Sequence, residues 1–388
     1  MEQVAREYLI PDGIGSEDIE HLIRDRMRCV EDPGYEVTRW FLDSFDWRLY
    51  LAQATLEERL DAEGHRLLWW DPGADTPPRI QPIDAAPGFV RELPTGPVRE
   101  RLELVLGVRR LLPLLEIRGR VRTLRLLNED DKTVVRLRLE DNRFRDADQD
   151  REGPLAARVY LLPVRGYAME LRETARMLSR DLGLEPARNR ILSEALTAAG
   201  RRPGGYSSKL DYHLDGDRRA DATAKEISRG LLDTLEANIK GAEANLDSEF
   251  LHDLRVATRR TRSALTQIKG VFAPALVEDY KTRFAWVQRI TGPMRDLDVY
   301  LLDFDGYQAS LPALLRPCLE PGVPGGPLRR GSQGAGAGAR LDGVQGSADV
   351  LAGLSGSAGP GAVRRSQRHA PNQGGGGRPY LEHVSAGA

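Results

Sequence analysis

Several things are scarce in this chain, and each scarcity closes off a class of protein. In 388 residues there are two cysteines, Cys29 and Cys318. They lie far apart in unlike contexts, which excludes a disulfide scaffold and fits a reducing compartment. Histidine is also sparse, and His65, His213, His369 and His383 sit in unrelated surroundings, so no Ser-His-Asp or Cys-His arrangement offers nucleophilic machinery and no catalytic residue is expected. Net charge is nearly absent: 56 basic and 58 acidic side chains leave −2. That excludes the overall basic field of a general nucleic-acid binder, so any anion site must arise by local clustering. No apolar run approaches the ~20 residues of a membrane span, and the opening MEQVAREYLIPDG has neither a basic leader nor an apolar core. The expectation is a soluble, cytoplasmic protein with no membrane partner. Its length suits two domains, each able to bury a core unaided.

What is present is local charge. Asp247 to Phe272, DSEFLHDLRVATRRTRSALTQIKGVF, has helical period. At about 100° per residue, His252, Arg255, Arg259 and Arg262 fall within roughly an 80° arc, while Leu254, Ala257, Thr261, Leu265 and Ile268 lie opposite. Like charges at i, i+3 and i+4 repel, so this face costs stability unless acids or a ligand neutralise it. Arginine's planar fork grips phosphate oxygens in pairs, and several in a row suit a repeating phosphate chain better than a single phosphate. The plain structural alternative is that Glu249, Asp296 and Asp298 pair with these arginines inside a bundle. His252 is the only histidine of the helical text, flanked by cations and without cysteine, so no metal site is expected there.

In chain order, residues 1 to about 200 read as mixed α and β. Ser16 to Cys29 reads as a short helix capped by Ser16. Tyr35 to Leu42 and His65 to Trp70 read as strands, with a polar stretch, Gln53 to Gly64, between them. The tandem Trp69 and Trp70 suit a core or barrel wall. The clearest β signal is Leu114 to Glu140: Glu116, Arg118, Arg120 and Arg122 alternate with Ile117, Gly119, Val121 and Thr123, and after the turn NEDDK, Arg136, Arg138 and Glu140 alternate with Val135, Leu137 and Leu139. This predicts a hairpin with one charged face. Alternation alone describes a half-solvated antiparallel sheet; the sharper reading closes the sheet into a barrel whose charged face points inward as an anion tunnel. Leu155 to Pro163 supplies another strand, followed by helices at Tyr167 to Leu182 and Ala187 to Ala198. Arg201 to Asp217, dense in Gly, Pro, Ser and Asp, reads as a linker. Helices then follow at Ala222 to Ala244, from Asp247 and Ser248 as caps, at Ala275 to Ile290 ending on Thr291-Gly292-Pro293, and at Met294 to Tyr307; their short connections predict an antiparallel bundle. From Pro321 onward the text is Gly, Ser, Ala and Pro rich and is expected to be disordered. The helical text stops after Leu315 without a closing helix. Out-of-frame translation of a GC-rich gene is the favoured explanation, and a genuine flexible tail the alternative. The glycine runs near GAGAGAR have no preceding strand and no following Lys-Ser/Thr, which excludes a phosphate loop.

The pair LHDLRVATRRTRSAL and TGPMRDLDVYL resembles the CHAD domain over about Ala222 to Leu315. The resemblance implies paired four-helix bundles around a basic pore and affinity for inorganic polyphosphate, with His252, Arg255, Arg259, Arg260 and Arg262 as phosphate contacts and Lys269 and Arg295 as supporting charges. Only the first half of such a domain is visible. The N-terminal text resembles the CYTH fold of triphosphate tunnel proteins through the charged hairpin, the stretch PVRGYAMELRE near Glu170 and the order of the two domains. That family opens with E-x-E-x-K, whose acids hold a divalent metal. Here one register gives Glu2, Val4 and Arg6, and the other gives Gln3, Ala5 and Glu7; neither keeps both acids. A tunnel that binds without cutting is the economical reading, with Arg118, Arg120, Arg122, Lys132, Arg136, Arg138 and Arg158 as candidate phosphate contacts.

The expected molecule is therefore α+β: an antiparallel barrel-like CYTH-type domain at 1–200, a linker at 201–218, a truncated CHAD-type four-helix domain at 219–316 and a disordered Gly-rich tail at 317–388. Its expected role is non-catalytic binding of inorganic polyphosphate or another polyanion, with no cofactor. The rival is a metal-dependent inorganic triphosphatase, which would need Mg²⁺ or Mn²⁺. A third reading is an interaction scaffold for acidic proteins or nucleic acid, the latter a less favoured partner.

Overall fold

A computed structural model of the chain describes residues 6–11, 13–71 and 77–312. Its first part runs β1 (Arg6–Leu9), α1 (Ser16–Arg24), β2 (Cys29–Asp43), α2 (Arg48–Leu51), β3 (Thr55–Asp61), β4 (Gly64–Trp70), β5 (Arg79–Pro82), α3 (Pro97–Leu106), β6 (Leu112–Leu127), β7 (Thr133–Asp146), β8 (Arg151–Pro154), β9 (Arg158–Pro163), α4 (Ala168–Arg180), β10 (Glu185–Pro186) and α5 (Ile191–Ala199). The helical part is α6 (Ala220–Glu243), α7 (Ser248–Gln267), α8 (Pro274–Leu302) and α9 (Phe304–Ser310).

The strands form one antiparallel sheet in the order β10-β1-β9-β7-β6-β2-β3-β4-β5, with β8 also on β7. The long strands β2, β6 and β7 are its spine, because their period-2 alternation lets both faces pack. On the outer face, α1 and α4 cover Leu124, Leu126, Leu137, Leu139, Val159 and Leu161. Farther along, α2 and α3 cover Leu42, Leu56, Leu67 and Trp69. On the inner face, α5 packs Ala195, Leu196 and Ala199 against Phe41, Ile117 and Phe144. Burying such apolar side chains stabilises by about 1.5–3 kcal/mol each.

The predicted hairpin is β6 and β7, but its two charged rows do not share a face. Register pairs Gly119 with Asn142, Val121 with Glu140 and Thr123 with Arg138, and a one-residue shift occurs between Leu126 and Leu127 beside the turn. Because side chains alternate with period 2, that single shift moves one row to the opposite side. Arg118 and Arg120 therefore stand opposite Arg143 and Asp141 on the outer face, while Arg136, Arg138 and Glu140 stand on the inner face. The polar stretch between the first two predicted strands contains β3, paired to β2 and β4 throughout. Ser16 is the first helical residue of α1 rather than its cap; Gly15 caps, its N–H donating to Asp18 Oδ2 at 2.8 Å, and the Ser16 hydroxyl instead donates to Asp141 at 2.6 Å.

In the helical part α6 packs on α7 and α7 on α8, around Leu231, Leu235, Ile239, Phe250, Leu254, Phe284 and Val287. Asp247 caps α7 as expected, accepting from Glu249 N and Phe250 N. The break expected at Thr291-Gly292-Pro293 is absent: α8 runs through it, with Pro293 inside the helix. Proline removes one main-chain donor and crowds the preceding turn, and neighbouring side chains bond the carbonyls just before that turn. The Thr291 hydroxyl donates to Val287 O at 2.7 Å, and Arg255 Nη1 of α7 donates to Gln288 O at 2.8 Å and to Thr291 Oγ1 at 2.7 Å.

The segment expected as a linker has no helix or strand between α5 and α6, yet it is fastened down. Arg201 is bidentate on Asp146, Tyr206 OH donates to Asp253 Oδ2 at 3.0 Å, and Arg260 Nη1 donates to Ser208 O at 2.8 Å. Phe45 of the strand-rich part packs against Tyr206 and Phe250, at ring separations of 4.5 and 4.6 Å. The expected disordered tail and the frameshift fall on residues 313–388, outside the described residues.

Candidate anion-binding site

The predicted helix forms as α7, ending at Gln267 before Lys269, and the structure sorts the members of its basic face by what holds them. Arg255 is partly buried between α7 and α8, where its guanidinium meets only neutral acceptors, Gln288 O and Thr291 Oγ1; Gln288 Nε2 returns a bond to Arg255 O at 2.6 Å. Arg260 points the other way, onto the fastened segment. Arg295 Nη1 reaches Ser248 O at 3.3 Å. Arg259 and Lys269 are exposed, and His252 and Arg262 half-buried.

Of the acids expected as internal partners, Glu249 turns elsewhere and Asp296 acts on Arg255 through its charge. Glu249 approaches Arg48 of α2, at 3.9 Å, rather than the α7 arginines. The ion pairs of the helical part include Arg218 with Glu226, Arg219 and Lys225 with Asp221, Lys281 with Glu278 and Arg283 with Asp279; none of these pairs, all among the described residues, involves His252, Arg255, Arg259, Arg260, Arg262, Lys269 or Arg295. The consequence shows in Arg255. Burial first, then Arg295 and Arg259, lower its pKa from the ordinary arginine value against the opposing pull of Asp296. The guanidinium remains charged at neutral pH, in surroundings short of negative charge.

The inner face of the sheet is built the opposite way. Arg39 of β2 reaches across β6 to Glu140 of β7 at 2.7 Å and to Asn142 Oδ1 at 3.1 Å. It can do so because Gly119 lies beneath; a Cβ there would overlap Asn142 Oδ1 and crowd Val37. Arg39 also lies 3.5 Å from Glu57, which accepts from Arg59 at 2.6 Å. Arg138 Nε sits 2.9 Å from Glu140 Oε1, with its guanidinium 4.5 Å from the Tyr160 ring centroid. Arg158, 1% exposed, is held by Glu7 and Glu194. Burial alone would raise the pKa of the fully buried Glu140, but Arg39 and Arg138 outweigh it and hold the carboxyl below its ordinary range. The buried charges of this face neutralise one another, and Arg136 at its edge is exposed.

Of the candidate tunnel contacts, Arg136, Arg138 and Arg158 are therefore on the inner face, the last two already engaged. Arg118 pairs with Glu116, and Arg120 is exposed on the outer face. Arg122 is tied to Glu20 of α1 at 2.7 Å, and Lys132 lies in the exposed turn, 3.4 Å from Asp130. Sequence reading missed Arg39, Glu57, Arg59 and Tyr160. Their alternation was legible in VTRWFLD and TLEERLD, but their convergence depends on sheet register. Magnesium or manganese would need free acids here. Glu7, Glu57 and Glu140 each hold an arginine instead, and no group of three His, Cys, Asp or Glu side chains comes together among the described residues. The described residues of the inner face leave no acid free for such a metal; Glu2, Gln3, Val4 and Ala5 lie outside the described residues.

No curated protein matches the sequence. The N-terminal region is similar to solved structures of distant sequence. A Pyrococcus horikoshii OT3 protein, PH1819, is 14% identical with TM-score 0.32, over 50% of this chain and 96% of that one. A Hippeastrum protein, HpAC1, assigned as an adenylyl cyclase and described as having a dominant triphosphatase activity, is 11% identical with TM-score 0.35, over 53% of this chain and all of that one. A Bacillus halodurans protein assigned as an adenylate cyclase is 14% identical with TM-score 0.32, over 50% and 96%. Residues 226–343 match the family model of the CHAD domain, so α7, α8, α9 and most of α6 are the described part of a CHAD domain.

Proposed function

We propose that this protein binds inorganic polyphosphate without cleaving it, through the α7 face of His252, Arg255, Arg259 and Arg262, with Arg260, Lys269 and Arg295 as flanking charge. The observation that carries the proposal is the contrast between arginines. Arg39, Arg109, Arg158 and Arg201 each lie against carboxylates that raise their pKa. Arg255 alone among the arginines with a resolved shift is lowered, because burial, joined by Arg295 and Arg259, outweighs the pull of Asp296. A polyanion supplies the charge this face lacks, and guanidinium forks match successive phosphates.

Arg259 and Arg262 make no ion pair within the described chain, so their replacement leaves the fold intact. In a filter-binding assay of the full chain with long-chain polyphosphate, Arg259→Gln combined with Arg262→Gln is expected to weaken binding by about tenfold or more, since charge-assisted bonds contribute ~1.5–3 kcal/mol each. Undiminished retention rejects the site. Competition by RNA at equal phosphate concentration would favour a general polyanion scaffold. Phosphate release from triphosphate with Mg²⁺ or Mn²⁺ would favour the triphosphatase reading over this one.

A further inference from the structure

One of the two most buried arginines among the described residues lies outside both charged faces. Arg109 follows α3 in the strand-rich part and is 1% exposed. Its Nε lies 3.2 Å from Asp46 Oδ2, Nη1 donates to Asp247 Oδ1 at 3.2 Å and Nη2 donates to Asp253 Oδ2 at 2.9 Å. The guanidinium sits 5.3 Å from the Phe250 ring centroid. The next main-chain N–H, of Arg110, donates to Asp247 Oδ2 at 3.0 Å. Two of the three acids belong to α7. Asp247 is the cap from which the helix starts, and Asp253 lies between His252 and Arg255 in sequence, on the side turned away from the basic face.

Further hydrogen bonds hold the partners of this guanidinium, although its Nε has an ion-pair contact and no hydrogen bond. Asp253 also accepts from Tyr206 OH, which itself accepts from Asn238 Nδ2 of α6 at 2.6 Å. Asp46 accepts from Ser44 Oγ at 2.7 Å and from Arg48 Nε at 3.0 Å. A rigid fork gripping one acid before the helix and another nearly two turns later fixes both where α7 starts and its rotation about its own axis. Rotation decides whether His252, Arg259 and Arg262 face solvent together.

We infer that Arg109 is a positioning residue for the α7 anion face: from the strand-rich part, 138 positions before Asp247, it sets the orientation in which the helix presents its cations. This rests on the polyphosphate reading of that face. It also means that the two parts of the chain act as one binding unit.

Two variants of the full chain test the inference. Arg109→Met is expected to keep its far-UV helix signal, to lower polyphosphate affinity at least about fivefold, and to add little to the Arg259→Gln, Arg262→Gln pair, because residues acting through one site are non-additive. Asp253→Asn removes a negative charge beside His252, so simple electrostatics predicts tighter binding and loss of positioning predicts weaker binding. Weaker binding supports the inference, and unchanged or tighter binding overturns it; this variant decides the matter if Arg109→Met loses its helix signal. Tryptic cleavage between Arg201 and Arg219 needs no ligand and is expected to accelerate in both variants. If wild type retains no polyphosphate, the anion-site reading fails by itself. Unchanged cleavage would then overturn the role of Arg109 as well, and accelerated cleavage would retain it as the fixing point of α7.

Discussion

Asp43 shows how one buried carboxyl can tie stability to pH. Its two oxygens accept the main-chain N–H groups of Ser44 at 2.7 Å, Leu49 at 2.9 Å and Tyr50 at 3.0 Å, holding the turn into α2. Burial pushes its pKa up to about 6 despite those bonds. A folded-state pKa above the unfolded one means that the native state favours the neutral acid, so this contribution is complete below about pH 4 and is lost as pH rises through 6. Glu140, Asp46 and Asp146 are shifted down and act in the opposite sense, contributing above the unfolded carboxylate range and losing that contribution as pH falls. Comparison with Asp43→Asn isolates the first effect. The stability of wild type relative to this variant is expected to fall between about pH 4 and 7, by up to ~3 kcal/mol. Urea unfolding midpoints at both ends of that range check it, and a constant difference would refute the shift.

Elements are set against one another by close approaches that propensity does not register. Gly241 in α6 is a poor helix former by itself, and Gly→Ala in a helix ordinarily stabilises by about 1 kcal/mol. Here a Cβ would overlap the Phe250 ring of α7. The expected sign is reversed: Gly241→Ala should destabilise by roughly 1–3 kcal/mol through overpacking, read as a lower thermal midpoint, and a raised midpoint would show that the two helices have slack. Gly119 in β6 follows the same logic on the sheet, leaving room for Arg39 to reach Glu140. The hairpin that contains it was legible from alternation in Leu114 to Glu140, as was the α7 helix from its two faces. The relative orientation of the hairpin's charged rows was not, because it depends on the one-residue shift between Leu126 and Leu127. Period-2 patterns describe each strand but not the register between them.

The whole molecule carries two charge systems of different kind, although its net charge is near zero. On the inner face Arg39, Arg138 and Arg158 are paired with glutamates; on α7, among the described residues, the cations stand without ion-pair partners. Only the second should respond strongly to salt. Polyphosphate affinity is expected to fall steeply as ionic strength rises, with log K linear in log salt, and replacing Arg259 and Arg262 should flatten that slope by about 1.4, taking ~0.7 per flexible-chain phosphate contact. An unaltered slope would place the contacts elsewhere. No helix among the described residues is long and apolar enough to cross a membrane. The sequence by itself determined the order of a strand-rich part and a helical part, the helix with a basic face, its Asp247 cap and the resemblance to the CHAD domain, because each is written in local periodicity and spacing. Only the tertiary structure decided that Arg118, Arg120 and Arg122 lie off the inner face, that Arg39 and Arg158 are already neutralised there, and that Arg109 grips α7 across the join. Those outcomes depend on register and on contacts between residues more than a hundred positions apart, which no local pattern encodes.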